Sequence, residues 1–221
     1  MVSYIILALF FAAAALNLAG TKKGREKLFA ATKPFLLSLL CLYSVTRTLP
    51  TPDLLLSAAL LACFLGDVLL MPKGTGWFVA GGLSFFAGHA MFIVIFAGRA
   101  DLSHLPLWAL IPAAAIYLAA ACAVIARCRK DTPIPMLIPM FLYLICNLAT
   151  NVFALAWLVG EPGIWQAAAY AGAALFFISD SALFLMRFGN GRERFYKTNF
   201  FVMLTYISGV LLITLGLTGA S

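Results

Sequence analysis

Trp77–Ala97 reads WFVAGGLSFFAGHAMFIVIFA, a run in which His89 is the one side chain able to carry a charge. An apolar run of about 20 residues is the length that crosses the hydrocarbon of a bilayer as a helix. Working outward from it, runs of the same kind recur on both sides. On the N-terminal side they are Val2–Ala19, Lys33–Thr46 and Leu54–Met71. On the C-terminal side they are Pro106–Ala126, Ile134–Val159, Trp165–Met186 and Asn199–Leu217. The second is short and opens on Lys33-Pro34, where a proline in a first helical turn forfeits no hydrogen bond. The links are short and carry turn residues: Arg47–Asp53 with two prolines, Pro72-Lys73-Gly74, and Glu161-Pro162-Gly163. The expected fold is all-α, a polytopic transmembrane helical bundle of about eight spans, with residues 1–221 forming a single transmembrane domain.

Composition excludes the alternatives. The chain is 64% hydrophobic and 10% charged, whereas a soluble domain carries about 25% charged residues. The formal net charge of +7 does not point to nucleic acid, because the basic residues cluster between apolar runs. There they set topology and touch anionic headgroups. The loops after the odd-numbered runs, with the start of the second run, hold Lys22, Lys23, Arg25, Lys27, Lys33, Lys73, Arg127, Arg129, Lys130, Arg187, Arg192, Arg194 and Lys197. The opposite loops hold Arg47 and Arg99. The positive-inside rule then places the odd loops in the cytoplasm and both termini outside. Met1–Gly20 lacks a positively charged start, and its positive cluster follows the apolar run, so it is expected to be a retained first helix. Short loops without a soluble domain favour a bacterial inner membrane, although an endoplasmic reticulum protein would look similar. Cys41, Cys63, Cys122, Cys128 and Cys146 show neither metal-ligand nor redox spacing, and no disulfide framework is expected.

All but two of the eight acidic residues lie in loops or at run boundaries. Asp67 and Asp180 stand inside the third and seventh runs, where an ionisable side chain costs at least about 2.5 kcal/mol and marks a functional position by default. Asp67 precedes Met71 by four residues and Asp180 precedes Arg187 by seven, about 6 and 10 Å at 1.5 Å per residue. Both runs travel from outside to inside, so the two carboxylates are expected at similar depth in the cytoplasmic half. Two carboxylates brought together in a low dielectric resist ionising together, an arrangement suited to general acid and base work. The bland alternative is that each aspartate hydrogen-bonds a neighbouring helix or pairs with Lys33 or an arginine.

Other polar positions are less specific. His89 sits near the middle of the fourth run, as a packing histidine or a site residue. Tyr143, Asn147 and Asn151 fall at i, i+4 and i+8 on one face of the sixth run, either lining a polar cavity or bonding to another helix. Thr205 and Tyr206 lie in the cytoplasmic half of the eighth run, and Tyr206 is equally an ordinary packing aromatic. Lys33 is expected at the surface as a topology and snorkelling charge. Gly66-Asp67-Val68-Leu69 and Ser179-Asp180-Ser181-Ala182 share a small-Asp pattern four helices apart, a weak hint of a duplicated half. The sequence has no Gly-x-Ser-x-Gly elbow, HExxH or P-loop, and its two histidines, His89 and His104, are too few for a three-histidine zinc site.

Five blocks carry a family resemblance. They are Lys33-Pro34-Phe35-Leu36-Leu37, Leu65-Gly66-Asp67-Val68-Leu69-Leu70-Met71, Gly88-His89, Phe177-Ile178-Ser179-Asp180-Ser181 and Val202-Met203-Leu204-Thr205-Tyr206. Together, in this order from the second run to the eighth, they resemble the YhhN family, whose animal members include lysoplasmalogenases. Gly88 stands where alanine is expected in many relatives, and Ser208-Gly209 replaces a more polar stretch after the tyrosine. The resemblance implies hydrolysis of the vinyl ether bond of a lysoplasmalogen, a lysophospholipid, to a fatty aldehyde and a glycerophospho-alcohol, with no metal or organic cofactor. It implies Asp67 and Asp180 as the acid–base pair, in an order left open. Lys33 would bind the phosphate, and His89, Asn147 and Tyr206 would position water or the glycerol hydroxyl. Two other classes stay open: a proton-coupled transporter of a small solute or lipid, and a non-catalytic lipid-binding scaffold. A transporter needs polar residues reaching both faces, toward which the Asn147–Asn151 face points.

Overall fold

The computed structural model describes residues 1–130, 132–189 and 199–220. Among them all regular structure is helical: α1 (Val2–Lys22), α2 (Glu26–Arg47), α3 (Leu54–Leu69), α4 (Thr75–Arg99), α5 (Leu107–Cys128), α6 (Ile134–Gly160), α7 (Ile164–Phe188) and α8 (Asn199–Gly219). Seven of the eight are long and apolar enough to cross a membrane; α3 is the shorter one. Its 16 residues rise about 24 Å, against about 30 Å of hydrocarbon. The expected third span ran to Met71. Pro72 disfavours helical geometry in the residue before it, and α3 closes at Leu70, whose N–H reaches Gly66 O, with Met71 N–H turned to Val68 O at 3.1 Å. At its other end Asp53 is a capping residue, its Oδ1 accepting from Leu56 N at 2.9 Å.

The second helix also differs from expectation. Gly24, at φ +63°, takes the left-handed turn that separates α1 from α2, and α2 begins at Glu26 rather than Lys33. Pro34 is thus inside the helix, where its missing N–H leaves the carbonyl four residues back without its usual helical donor. The Ser38 hydroxyl donates to Pro34 O at 2.9 Å. Lys33 becomes an interior residue of α2 and is buried. The Arg47–Asp53 link contains a cis Leu49–Pro50 bond. The loop residues Arg192, Arg194 and Lys197, counted above in the charge asymmetry, lie outside the described residues.

Many large apolar side chains are left at the surface: Tyr4, Leu54, Trp108, Ile111, Ile116, Ile134, Leu142 and Ile164 are all exposed. That is the surface of a polytopic membrane protein, whose outer faces meet lipid rather than water. The contacts divide the chain into two compact units, Phe96–Gly216 and Met1–Ile95, the latter joined by the end of α8 from Leu217.

In the first unit α1 and α2 pack through Gly20, where a Cβ would come within 3.1 Å of Phe29 N. Beside that contact, Asn17 Nδ2 donates to Phe29 O at 3.2 Å and to Thr32 Oγ1 at 3.0 Å. Between α3 and α4 the approach is closer. A Cβ on Gly66 would meet the Phe85 ring at 2.6 Å, and one on Gly88 would meet Cys63 Sγ at 2.8 Å. The Ser84 hydroxyl donates to Ala62 O at 2.7 Å across the same contact.

In the second unit α5, α6 and α7 pack on one another, with Tyr117 edge-on to Phe177 and Cys128 Sγ donating to Phe184 O at 3.7 Å. The α7–α8 contact is stitched by small residues, as membrane helices favour. A Cβ on Gly172 would lie 2.6 Å from Gly209 O and 2.6 Å from Ile213 N. A Cβ on Gly216 would lie 2.7 Å from Ala169 N. At the far end of α6 Trp157 is buried, stacked near Phe96, with the Arg99 guanidinium 5.0 Å from its ring centre and its indole N–H donating to Glu161.

Candidate functional site

The buried acidic residues of the two units are held differently. In the second unit Asp180 stands eight residues before the end of α7 at Phe188, about 12 Å by helical rise. Two donors from α6 converge on its Oδ2: the Tyr143 hydroxyl at 2.7 Å and Asn147 Nδ2 at 2.8 Å. Their spacing explains the convergence, since residues four apart present side chains one above the other on a helix. Tyr143 is kept in place by its ring, edge-on to Phe184 with centres 5.5 Å apart. Asn147 is completely buried, and Asn151, one turn further along α6, donates from Nδ2 to both Asn147 O (3.0 Å) and Asn147 Oδ1 (3.2 Å). Asp180, Asn147, Tyr143 and Asn151 therefore form one hydrogen-bonded cluster. A carboxylate placed in a bundle interior needs such donors to offset its lost hydration.

In the first unit Asp67 is in the last turn of α3, two residues before Leu69, closer to its helix end than the offset from Met71 indicated. Lys33 Nζ lies 3.1 Å from Asp67 Oδ1, and both side chains are at least nine-tenths buried. The ammonium is also 5.8 Å from the centre of the Phe29 ring, a distance at which a cation is attracted to an aromatic face. The expected surface position of Lys33 is thus corrected. Extension of α2 back to Glu26 carries Lys33 into the helix interior, and the burial of its charge is matched by Asp67. Ion pairs of this kind are costly to desolvate and still more costly to break from one side.

The remaining predicted residues divide between the units. His89 is buried in α4 of the first unit, its ring edge-on to Phe92 at 6.4 Å. Tyr206 is buried in α8 of the second, its ring tilted against Phe176 at 5.3 Å. Thr205 turns its hydroxyl back to the carbonyls of Phe201 and Val202, an ordinary helical back-bond. Ser179, beside Asp180, donates to Val202 O at 3.0 Å and so ties α7 to α8 next to the carboxylate. The structure brings together Lys33 with Asp67, and Asn147 with Asp180. Tyr143 is the direct contact to Asp180 absent from the predicted site, although its i, i+4 relation to Asn147 carried the signal. Outside the spans, Asp101 receives Ser103 N–H at 2.9 Å and sits 3.1 Å from His104 Nδ1. These contacts, the Ser103 amide foremost, hold its carboxyl below the usual carboxylate range.

No curated protein and no solved structure matches the chain significantly. The model of the YhhN family does match, over residues 28–217, a stretch that contains Lys33, Asp67, His89, Tyr143, Asn147, Asn151, Asp180 and Tyr206. With most of its length inside that match, the chain belongs to the YhhN family.

Proposed function

We propose that this protein is a lysoplasmalogenase-type ether hydrolase acting on a lysophospholipid, with Asp67 and Asp180 as its acid–base pair. The observation that carries the reading is the buried Asp180 carboxylate, gripped on one oxygen by Tyr143 and Asn147. So deliberate a placement of a carboxylate inside an apolar helix is a mark of function. Membership of the YhhN family supports the same class of activity.

A vinyl ether is cleaved by acid. A carboxylic acid delivers its proton to the β-carbon, the C=C pair forms the new C–H bond, and an oxocarbenium ion results. The partner carboxylate takes a proton from water as the water oxygen bonds to the cationic carbon. The hemiacetal then collapses to a fatty aldehyde and a glycerophospho-alcohol: the carboxyl protonated by water gives that proton to the departing glycerol oxygen, and the carboxylate left by the first step takes the proton of the hemiacetal hydroxyl, which restores the pair. The division of labour is that of a glycosidase, one carboxyl as acid and the other as base. Lys33 supplies positive charge toward an anionic headgroup; an ammonium has three donors, so it can share them between Asp67 and a phosphate. Asn147 acts by holding Asp180, its amide being already engaged on both sides. His89 and Tyr206 shape the surroundings of water and glycerol. The short loops favour a bacterial inner membrane, and the basic residues in them favour its cytoplasmic half for the chemistry.

The test is aldehyde release by the purified protein in detergent, from a lysoplasmalogen and from the matched saturated-ether lysolipid. Wild type should release aldehyde from the vinyl ether alone. Asp67→Asn and Asp180→Asn should each lose the activity while keeping the wild-type helical content and elution volume. A folded wild type that releases none removes the hydrolase reading. A proton-coupled carrier using the polar face of α6 would then be examined by uptake into vesicles.

A further inference from the structure

The hydrogen bonds around Asp180 have a direction. Its Oδ2 is an acceptor toward the Tyr143 hydroxyl, so Asn147 can approach the same oxygen only through its amide nitrogen. That choice turns Asn147 Oδ1 away, to the next turn of α6. There Asn151 must in turn offer its nitrogen, and it does, to Oδ1 at 3.2 Å and to the backbone oxygen of Asn147 at 3.0 Å. The polarity passes along the ladder and ends on Asn151 Oδ1. This atom is completely enclosed, and among the described residues it accepts no hydrogen bond. Exchanging the nitrogen and oxygen of Asn151 gives no relief, because its oxygen would then face two oxygens of Asn147. A buried amide oxygen fixed in this way by its neighbours calls for a donor from outside the protein.

We propose that Asn151 Oδ1 is an acceptor subsite for a hydroxyl donor, either the free glycerol hydroxyl of a lysolipid or a water molecule held for the reaction. The identity of the lipid rests on the hydrolase reading; the subsite does not. Asn151 lies one turn, about 6 Å along α6, from the asparagine that grips Asp180. A lysolipid carries its free hydroxyl on the carbon next to the one bearing the ether oxygen. A lipid with that hydroxyl esterified has no donor to give, so the subsite would select lysolipids over their doubly substituted relatives.

Binding separates the two sources. The saturated-ether lysolipid and its 2-deoxy counterpart, neither of which can be cleaved as a vinyl ether, are titrated against wild type and Asn151→Leu in detergent. With the glycerol hydroxyl as donor, wild type loses roughly tenfold in affinity for the deoxy lipid, and Asn151→Leu binds both alike. With water as donor, wild type binds both alike, and Asn151→Leu releases aldehyde from the vinyl ether with a lowered kcat and an unchanged KM. Asn151→Ala repeats both measurements if the leucine variant does not fold. Equal binding by wild type, together with variants that turn over as wild type does or a wild type that does not turn over, overturns the subsite. Discrimination by wild type that Asn151→Leu loses, without any aldehyde release, leaves the subsite standing and removes the hydrolase reading; discrimination that Asn151→Leu keeps overturns the subsite.

Discussion

Replacing Gly172 by alanine should destabilise the α7–α8 pair, and a matched alanine at Gly82 should not. The new methyl carbon at Gly172 would lie 2.6 Å from Gly209 O and from Ile213 N. Both are backbone atoms, so no rotamer change can make room. Ordinary van der Waals contact begins near 3.4 Å, so the helices must part by about 0.8 Å at this crossing, and close contacts on either side are lost with it. Overpacking of this kind costs about 1–3 kcal/mol. Against it stands the better helix propensity of alanine, about 1 kcal/mol. At Gly82, also inside a helix, a Cβ meets nothing within 4 Å, so only the propensity gain remains. The difference between the two variants cancels propensity and isolates the crossing, with Gly172→Ala the less stable by about 1–3 kcal/mol. Reversible unfolding in mixed micelles, driven by rising dodecyl sulfate and followed by tryptophan fluorescence, measures it. Asp180 lies two turns further along α7, so aldehyde release by Gly172→Ala should fall as well. Variants whose stabilities agree within about 0.5 kcal/mol would refute the tight crossing.

Three further outcomes are expected. Lys33→Met and Asp67→Leu should each cost about 3–5 kcal/mol, and the double variant clearly less than their sum; strict additivity in the same unfolding titration would mean the pair is not coupled. Tyr143→Phe, which removes one donor from Asp180, should cost about 1 kcal/mol and slow aldehyde release by about tenfold, whereas unaltered turnover would take Tyr143 out of the site. Asp101→Asn should leave stability near neutral pH little changed, since the contact is exposed. Because the folded carboxyl is depressed, any stabilisation is present above the unfolded value near pH 4 and fades as pH falls through the folded one. A pH-stability profile in which the wild-type advantage grew toward acid would contradict that sign.

The helices were legible because each apolar run is long and its ends carry proline, glycine or charge. The errors lie where local backbone chemistry overrides hydropathy. Pro72 stops α3 before Met71, although leucine and methionine continue the apolar run. Gly24 starts α2 early, although Glu26 and Lys27 look like loop. The second error propagated to the site: a lysine at a helix start reads as a snorkelling charge, while the same lysine two turns in must find a buried partner. Asp67 and Asp180 were legible as carboxylates inside apolar helices, but their donors were not, because hydropathy does not say which face of α2 or α6 meets α3 or α7. Gly88 and Gly209 both stand at close helix approaches. At Gly88 a methyl group would collide with Cys63 Sγ, and Gly209 is half of the α7–α8 crossing, its own Cβ position 2.9 Å from Gly172 O.

Set side by side, the two units solve the same problem with parallel parts. In each, an aspartate on one helix receives donors from the helix before it: Lys33 of α2 for Asp67, and Tyr143 and Asn147 of α6 for Asp180. In each, the same helix is drawn against the following one by glycines and a serine hydroxyl donated to a carbonyl, Ser84 to Ala62 O in the first unit and Ser179 to Val202 O in the second. The small-Asp pattern shared by Gly66-Asp67 and Ser179-Asp180 marks this arrangement. A small residue before the aspartate brings the next helix close, while the aspartate itself turns to the preceding one. The parts differ in charge. Asp67 faces an ammonium, whereas the donors described for Asp180 are a phenol and an amide. Different surroundings in otherwise similar frames give the two carboxylates different chemistry, which the proposed division into acid and base would use, since identical settings would give both the same role.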